Sequence, residues 1–318
     1  MQYSADNWEV VSADASFRRY FRALVKGVSY ILVDAPPDTE KNAEFIEFSS
    51  QYAQVGIDVP RIIFSDLARG FLCLTDLGSQ SLLPLAENDS IYWYRKVLRT
   101  LPLLAKVTVN DESARYNAAF FELELALFKN WFCQQFLDIS MSDIESYSLA
   151  PCLDWLVKSA TMQPQVATHR DFHGRNIMVR DNQSLAVIDF QDTVIGPLTY
   201  DVVSLLKDCY FKLDNETQQQ LLQESYALYQ DSLSLAMTFD EYRQYADLMG
   251  LQRHLKVCGI FSRLHLRDNK SHYLNDLPLV VDYIMQVCNH YPELKQLQAF
   301  FEKMILPTLP KRIEQCLP

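Results

Sequence analysis

The periodicity of this chain changes once, across Asp76-Leu77-Gly78, and that change limits the folds open to it. Before it, short β-branched and aromatic runs at 8–11, 19–26, 30–35, 62–65 and 71–75 are separated by turn formers such as Lys26-Gly27. One stretch in that region, 42–55, has the apolar spacing of an amphipathic helix. After it, apolar residues recur at helical spacing over 91–106, 117–136, 144–159, 200–211, 218–233, 239–261, 279–290 and 292–304. Five strands and a helix followed by a nearly all-helical remainder predict an α+β chain of two lobes, residues 1–77 and 78–318. With 318 residues, 49% of them hydrophobic, each lobe can fill a core of its own.

Composition excludes several classes of function. A net charge of −11 repels nucleic acid and anionic membrane. Seven cysteines lie scattered without C-x-x-C spacing, which reads as free, mostly buried thiols in a reducing cytoplasm. The start lacks a basic and apolar leader, and no apolar run reaches the ~18 residues of a membrane span, so a cytoplasmic protein, taken as a monomer, is expected. With only eight glycines, the chain holds no G-x-x-x-x-G-K-[ST] and no G-x-G-x-x-G. Any phosphate must be held in another way.

Residues 169–192, HRDFHGRNIMVRDNQSLAVIDFQD, carry the chemistry. Ile177-Met178-Val179 and Leu185-Ala186-Val187-Ile188 are β-prone runs around a turn-rich Arg180-Asp181-Asn182-Gln183-Ser184, so the segment predicts a hairpin. A hairpin brings its ends together, and here the ends are Asn176 and Asp189. An amide oxygen beside a carboxylate suits Mg²⁺, which takes its remaining ligands from water and substrate phosphates. Asp171, five residues before Asn176, is placed off the metal, where it can accept the proton of an attacking hydroxyl.

Two further segments suggest how a nucleotide is held. In Ser12-Ala13-Asp14-Ala15-Ser16-Phe17-Arg18-Arg19-Tyr20-Phe21-Arg22, hydroxyls and backbone N–H groups of the turn can meet phosphate oxygens. The strand period places Arg18 and Arg22 on one face and Arg19 on the other. Ser12, Ser16, Arg18 and Arg22 are the candidate clamp, and an edge strand with solvated arginines reads equally well. Thr75, Asp76 and Leu77 join the lobes, where an extended backbone could bond a purine edge or serve as a plain linker. Asp192, on an irregular loop after Asp189, suits a sugar hydroxyl, a second metal ion or a solvated turn. Asp201, after Gly196-Pro197, opens a helix and reads first as its cap. His254 and His265 have no ligand partners at metal spacing and read as core or surface residues.

The motif H-R-D-x-x-x-x-N followed by I-D-F resembles the catalytic and metal motifs of the protein-kinase-like superfamily. With His173 it is similar to the H-x-D-x-H-x-x-N form of the aminoglycoside and choline phosphotransferases. The resemblance implies a two-lobed protein-kinase-like fold, a small five-stranded antiparallel amino-terminal lobe with one helix, and ATP with Mg²⁺ as cofactors. It also implies a catalytic loop containing Asp171 and His173, and a bracing role for Asp201 beside any capping one. Only eleven residues separate Asp189 from Asp201, too few for a long activation segment, so a protein kinase is not expected. S-A-D-A-S-F-R-R-Y-F-R, L-V-D-A-P-P, H-R-D-F-H-G-R-N, D-F-Q-D and G-P-L-T-Y-D-V are similar to the anomeric sugar kinases of bacterial cell-wall recycling. Those enzymes phosphorylate N-acetylmuramate and N-acetylglucosamine at C1. Aminoglycoside, choline and homoserine are the alternative acceptors, and a nucleotide-binding pseudokinase is a more distant reading. One departure concerns the third strand, which carries Asp34 where the superfamily has a Lys. Arg18, Arg19 or Arg22, positioned by Glu44 or Glu47, would then have to supply the cation.

Overall fold

The computed structural model describes residues 8–12, 18–110 and 115–317, and of Ser12 only the backbone. The front of the chain is one antiparallel sheet of five strands, in the order β1-β2-β3-β5-β4. Its strands are β1 (Trp8–Ser12), β2 (Arg19–Val25), β3 (Val28–Asp34), β4 (Ile62–Asp66) and β5 (Phe71–Thr75). Lys26 and Gly27, both at positive φ, make the tight turn between β2 and β3. Register sets which residues face inward: Tyr20 pairs with Val33 and Val33 with Leu72, while Arg22 pairs with Ile31 and Ile31 with Leu74. Those positions share one face. Helix α1 (Asn42–Gln54) buries Phe45, Phe48 and Tyr52 in the same core as Val33, Leu72 and Leu74.

The remainder is helical, as the spacing predicts, but its elements are shorter. Residues 82–104 form α2 (Leu82–Ala86), α3 (Ser90–Leu98) and α4 (Leu101–Leu104), the last restarted at Pro102. The expected helix 117–136 begins as α5 (Ala118–Leu127) and then widens to i→i+5 winding over Phe128–Phe136. The expected helix 144–159 is two helices, α6 (Met141–Ser146) and α7 (Ala150–Met162), parted where Ser148 takes a φ of 51°. After them come α8 (Tyr200–Leu206), α9 (Asn215–Leu233), α10 (Phe239–Asp268), α11 (Leu277–His290), α12 (Lys295–Phe300) and α13 (Leu309–Cys316). α10 is the central pillar, opened by a Thr238/Glu241 capping box and packed against α5, α7, α8, α11 and the widened turn. No helix among the described residues is long and apolar enough to cross a membrane.

Two small two-stranded sheets sit between sheet and helices. β6 (Gln165–Thr168) pairs with β9 (Val194–Pro197), and β7 (Ile177–Val179) pairs with β8 (Leu185–Val187) as the expected hairpin. The hairpin is fastened to the front of the chain. Val187 N–H donates to the Asp58 carbonyl at 2.8 Å, Val179 N–H to the Gln80 carbonyl at 2.8 Å, and Arg180 pairs with Asp58 at 2.7 Å. The hairpin thereby forms the floor of the cleft under the large sheet.

The widened turn has a packing partner. A Cβ added to Gly259 of α10 would lie 2.4 Å from the Leu127 carbonyl carbon, so the two helices cross backbone to side-chain-free backbone. Gly259→Ala should therefore destabilise the fold by about 1–3 kcal/mol through overpacking. Urea unfolding would show it as a lower midpoint at unchanged slope; an unaltered midpoint would mean that the crossing yields.

Candidate active site

The loop from β6 to β7 holds its shape through a buried carboxylate. Asp201, in the first turn of α8, accepts the His169 N–H at 2.6 Å and the Arg170 N–H at 3.0 Å. Its side chain reaches away from the helix end, so it is a brace and not a cap, correcting the first reading from sequence. Arg170 takes a φ of 78°, a conformation that costs about 1–3 kcal/mol for a non-glycine residue and needs such support. His169, fully buried, accepts the Asp171 N–H at Nδ1 (3.3 Å), so Nε2 carries the proton toward the Ile188 carbonyl at 2.9 Å. That contact links the loop to the far end of the hairpin.

The hairpin brings its two ends together. Asn176 Nδ2 donates to the Asp171 carbonyl at 2.9 Å and lies 3.5 Å from Asp189 Oδ2. With its amide N–H committed, Asn176 Oδ1 has no protein donor among the described residues. Asp189, at a φ of 66° just past β8, takes Gln191 Nε2 on Oδ1 at 2.8 Å. No group of three His, Cys, Asp or Glu side chains able to hold a metal occurs among the described residues. Two adjacent oxygen donors without a third fit a magnesium ion that draws its other ligands from phosphate and water.

Asp171 opens onto the cleft, yet protein groups crowd it. Burial would push its carboxyl up, but Lys256, then His173, Arg253 and His169, outweigh burial and hold it below the usual carboxylate range. Lys256 reaches Asp171 electrostatically from a buried network. Its Nζ lies 2.7 Å from Glu124 Oε1 and 3.1 Å from the Tyr200 hydroxyl, and Tyr116 donates to the same Glu124 oxygen at 2.5 Å. His173 is lowered by burial, against the pull of Asp208 and Asp171, and its ring meets Tyr210 edge-on.

The cleft, about 600 Å³, runs from β2 and β3 to the loop, and Ile31, Leu74, Met178 and Ile188 are among its apolar lining. That size suits a small-molecule ligand. Thr75, Asp76, Leu77, Asp171, Asn176, Asp189 and Asp192 line it as well. Thr75 is tied to Arg61, its N–H on the Arg61 carbonyl at 3.0 Å, whereas Asp76 and Leu77 lie beyond the strand end. The Asp76 side chain faces the sheet: Arg22 Nε donates at 2.6 Å and Ser29 Oγ at 2.6 Å. Burial would raise Asp76, and those bonds with the Gly78 N–H hold it low instead.

The amino-terminal candidates separate. Ser16 lies outside the described residues, and Ser12 ends β1. Arg22 lines the cleft with its charge met by Asp76. Arg18 is buried, with Nε 2.9 Å from Glu40 and its guanidinium over the Phe45 ring. Arg18 also bonds the hydroxyl of Tyr20, which feels the charge of Asp189. Asp34 shares its face with Arg19, with which it pairs, and Ile31 of the same strand lines the cleft. One expectation needs correction. The acid that positions Arg18 is Glu40, just ahead of α1, while Glu47 within α1 accepts from Asn110. Asp192 accepts Lys41 Nζ at 2.6 Å with Arg170 Nη1 4.0 Å away, so it ties α1's leading loop to the catalytic loop. His254 is a core residue, bonded to the Lys207 carbonyl at 2.9 Å and stacked on Tyr283.

Sequence reading missed Lys256, Glu124, Tyr116 and Gln191. The first three stand on separate segments and meet only through helix packing. Gln191 had a signal, its place two residues after Asp189.

The family model described as "Phosphotransferase enzyme family" matches residues 7–238. An N-acetylmuramate/N-acetylglucosamine kinase of Pseudomonas putida is 35% identical over 295 residues, covering 92% of this chain and 87% of that protein. Its namesake in Pseudomonas aeruginosa is 36% identical over 305 residues, covering 95% and 88%. The solved choline kinase LicA of Streptococcus pneumoniae shares the fold with a TM-score of 0.63 at 12% identity, over 88% of this chain and 94% of its own.

The brace leads to a pH prediction. Burial pushes Asp201 from 3.8 up to about 6, against the charge of His169 and the two N–H bonds. A raised value favours the protonated native state, so this contribution to stability is full below about pH 4 and lost as pH rises through about 6. Wild type should therefore lose stability relative to Asp201→Asn across that window in urea unfolding. Parallel pH profiles for the two proteins would refute the assignment.

Proposed function

The chain belongs to the phosphotransferase enzyme family, and we propose that it transfers the γ-phosphoryl group of ATP to the anomeric C1 hydroxyl of N-acetylmuramate or N-acetylglucosamine. The observation that carries the chemistry is the convergence of Asn176 and Asp189 at 3.5 Å with Asp171 on the same loop. The names of the relatives support the acceptor.

In this reading the sugar C1 oxygen attacks the γ-phosphorus in line. The bond from that phosphorus to the bridging oxygen breaks, and ADP leaves with its electron pair. The hydroxyl proton passes to Asp171, whose low carboxyl keeps it ionised and ready to accept. Asn176 Oδ1 and Asp189 would hold Mg²⁺, which supplies neutralisation of the phosphate charge as it shifts to the leaving group. Arg18, held by Glu40 and bonded to the cleft-lining Tyr20, supplies positive charge from outside the lining in place of a strand lysine. Ser12 and Ser16 are the remaining members of the proposed phosphate clamp. The apolar lining of the cleft takes the adenine, with the backbone of Asp76 and Leu77 at its edge.

On this division residues 1–77 form the nucleotide lobe and 78–318 the catalytic and acceptor lobe, a split supported by the sheet-to-helix change. Action as a monomer belongs to the same proposal. Seven unpaired thiols support a reducing cytosol.

Phosphorus NMR on an acceptor panel of N-acetylmuramate, N-acetylglucosamine, choline and kanamycin with ATP and Mg²⁺ tests the reaction. An anomeric phosphate on an amino sugar is expected, and a phosphocholine or phosphokanamycin product alone would replace the acceptor. Asp171→Asn should lower kcat by about 10²–10⁴-fold while nucleotide affinity holds. Turnover at the parental rate would remove Asp171 from its role.

A further inference from the structure

We infer that Arg175 is the specificity-determining residue that receives the lactyl carboxylate which N-acetylmuramate carries and N-acetylglucosamine lacks. The inference rests on the acceptor assignment above.

Two guanidinium groups line the cleft, Arg22 and Arg175. Arg22 is engaged by Asp76 through two nitrogens, at 2.6 and 3.1 Å, beside the inter-lobe segment. Outside the lining, Arg18 pairs with Glu40, Lys41 with Asp192 and Arg170 with the Tyr116 hydroxyl and ring, while Arg253, two of whose nitrogens have no partner among the described residues, is buried and does not line the cleft. Arg175 differs. Among the described residues no carboxylate lies within ion-pair distance of it; Asp276 feels its charge only from farther off.

Arg175 is nonetheless held in place. Its guanidinium carbon lies 3.4 Å from the centre of the Tyr210 ring, a stacked arrangement that leaves the N–H edge unused. Tyr210 is fixed in turn, because the buried Asp208 accepts the Tyr210 N–H at 3.0 Å and the Gly174 N–H at 3.1 Å. One carboxylate thus fastens both the ring and the turn (Gly174–Asn176) that carries Arg175. A planar, pre-oriented guanidinium without an acid partner is the group that binds a carboxylate through two bonds. It sits on the same short turn as Asn176, four residues after Asp171, and Tyr273 also lines the cleft. A pyranose with C1 at Asp171 carries its lactyl group on C3, two ring carbons away, and so needs its cation within a sugar's breadth of Asp171, where Arg175 shares the cleft lining.

Steady-state kinetics of the full chain with ATP and Mg²⁺ on both sugars tests this, using Arg175→Met and Arg175→Lys. A lost charge-assisted contact should lower the N-acetylmuramate to N-acetylglucosamine ratio of kcat/KM by about 10- to 100-fold in Arg175→Met, and by less in Arg175→Lys. The methyl ester of N-acetylmuramate, which has no charge to offer, should be insensitive to Arg175→Met, closing a cycle between side chain and substrate. An equal fall in kcat for both sugars would overturn the inference, assigning Arg175 to the transferred phosphoryl group or to the turn. If the wild type used both sugars and the variants kept the parental ratio, the inference alone would fail. If the wild type used neither, the acceptor assignment would fail and take the inference with it.

Discussion

The loop from β6 to β7 exists in its observed shape because Asp201 accepts two consecutive backbone N–H groups from inside the core. A left-handed Arg170 would otherwise relax, and Asp171 would turn with it. Burying a carboxylate is costly, and the cost is offset locally by those two bonds and by the nearby His169. The brace enters from α8, so helix, loop and hairpin hold their positions together.

Electrostatics then divides one acidic loop into groups with different tasks. Asp171 faces Lys256 and Arg253 across the base of the loop and stays ionised. Lys256 itself remains protonated in the interior because the Tyr116 and Tyr200 hydroxyls and Glu124 surround it. Asp189 is placed beside Asn176 by the hairpin, away from that network. A positive field under Asp171 and an oxygen pair at the hairpin mouth are separate environments only a few residues apart.

The front sheet contributes by committing its own charges. Arg22, Arg19 and Arg18 are each matched to an acid, Asp76, Asp34 and Glu40 respectively. This pairing leaves an apolar slot between Ile31, Leu74, Met178 and Ile188, and it leaves Arg175 as the cleft cation with an unused edge.

Much of this was legible in order along the chain. Strand alternation, the Lys26-Gly27 turn and helical spacing are local properties, so the five strands, α1 and the β7–β8 hairpin follow from short-range sterics and apolar pattern. The closeness of Asn176 and Asp189 also follows, since a hairpin must bring its ends together. What the sequence could not decide depends on packing between distant segments. The widened turn after Leu127 answers to Gly259, more than a hundred residues later, and the helix break at Ser148 is likewise invisible to spacing. That Asp34 meets Arg19 while Ile31 lines the cleft is decided by register, which pairing with β2 and β5 fixes. Lys256, Glu124 and Tyr116 meet one another, with Lys256 acting on Asp171, only when α10 packs against α5, because burial and Coulomb energy depend on distance in space and not along the chain.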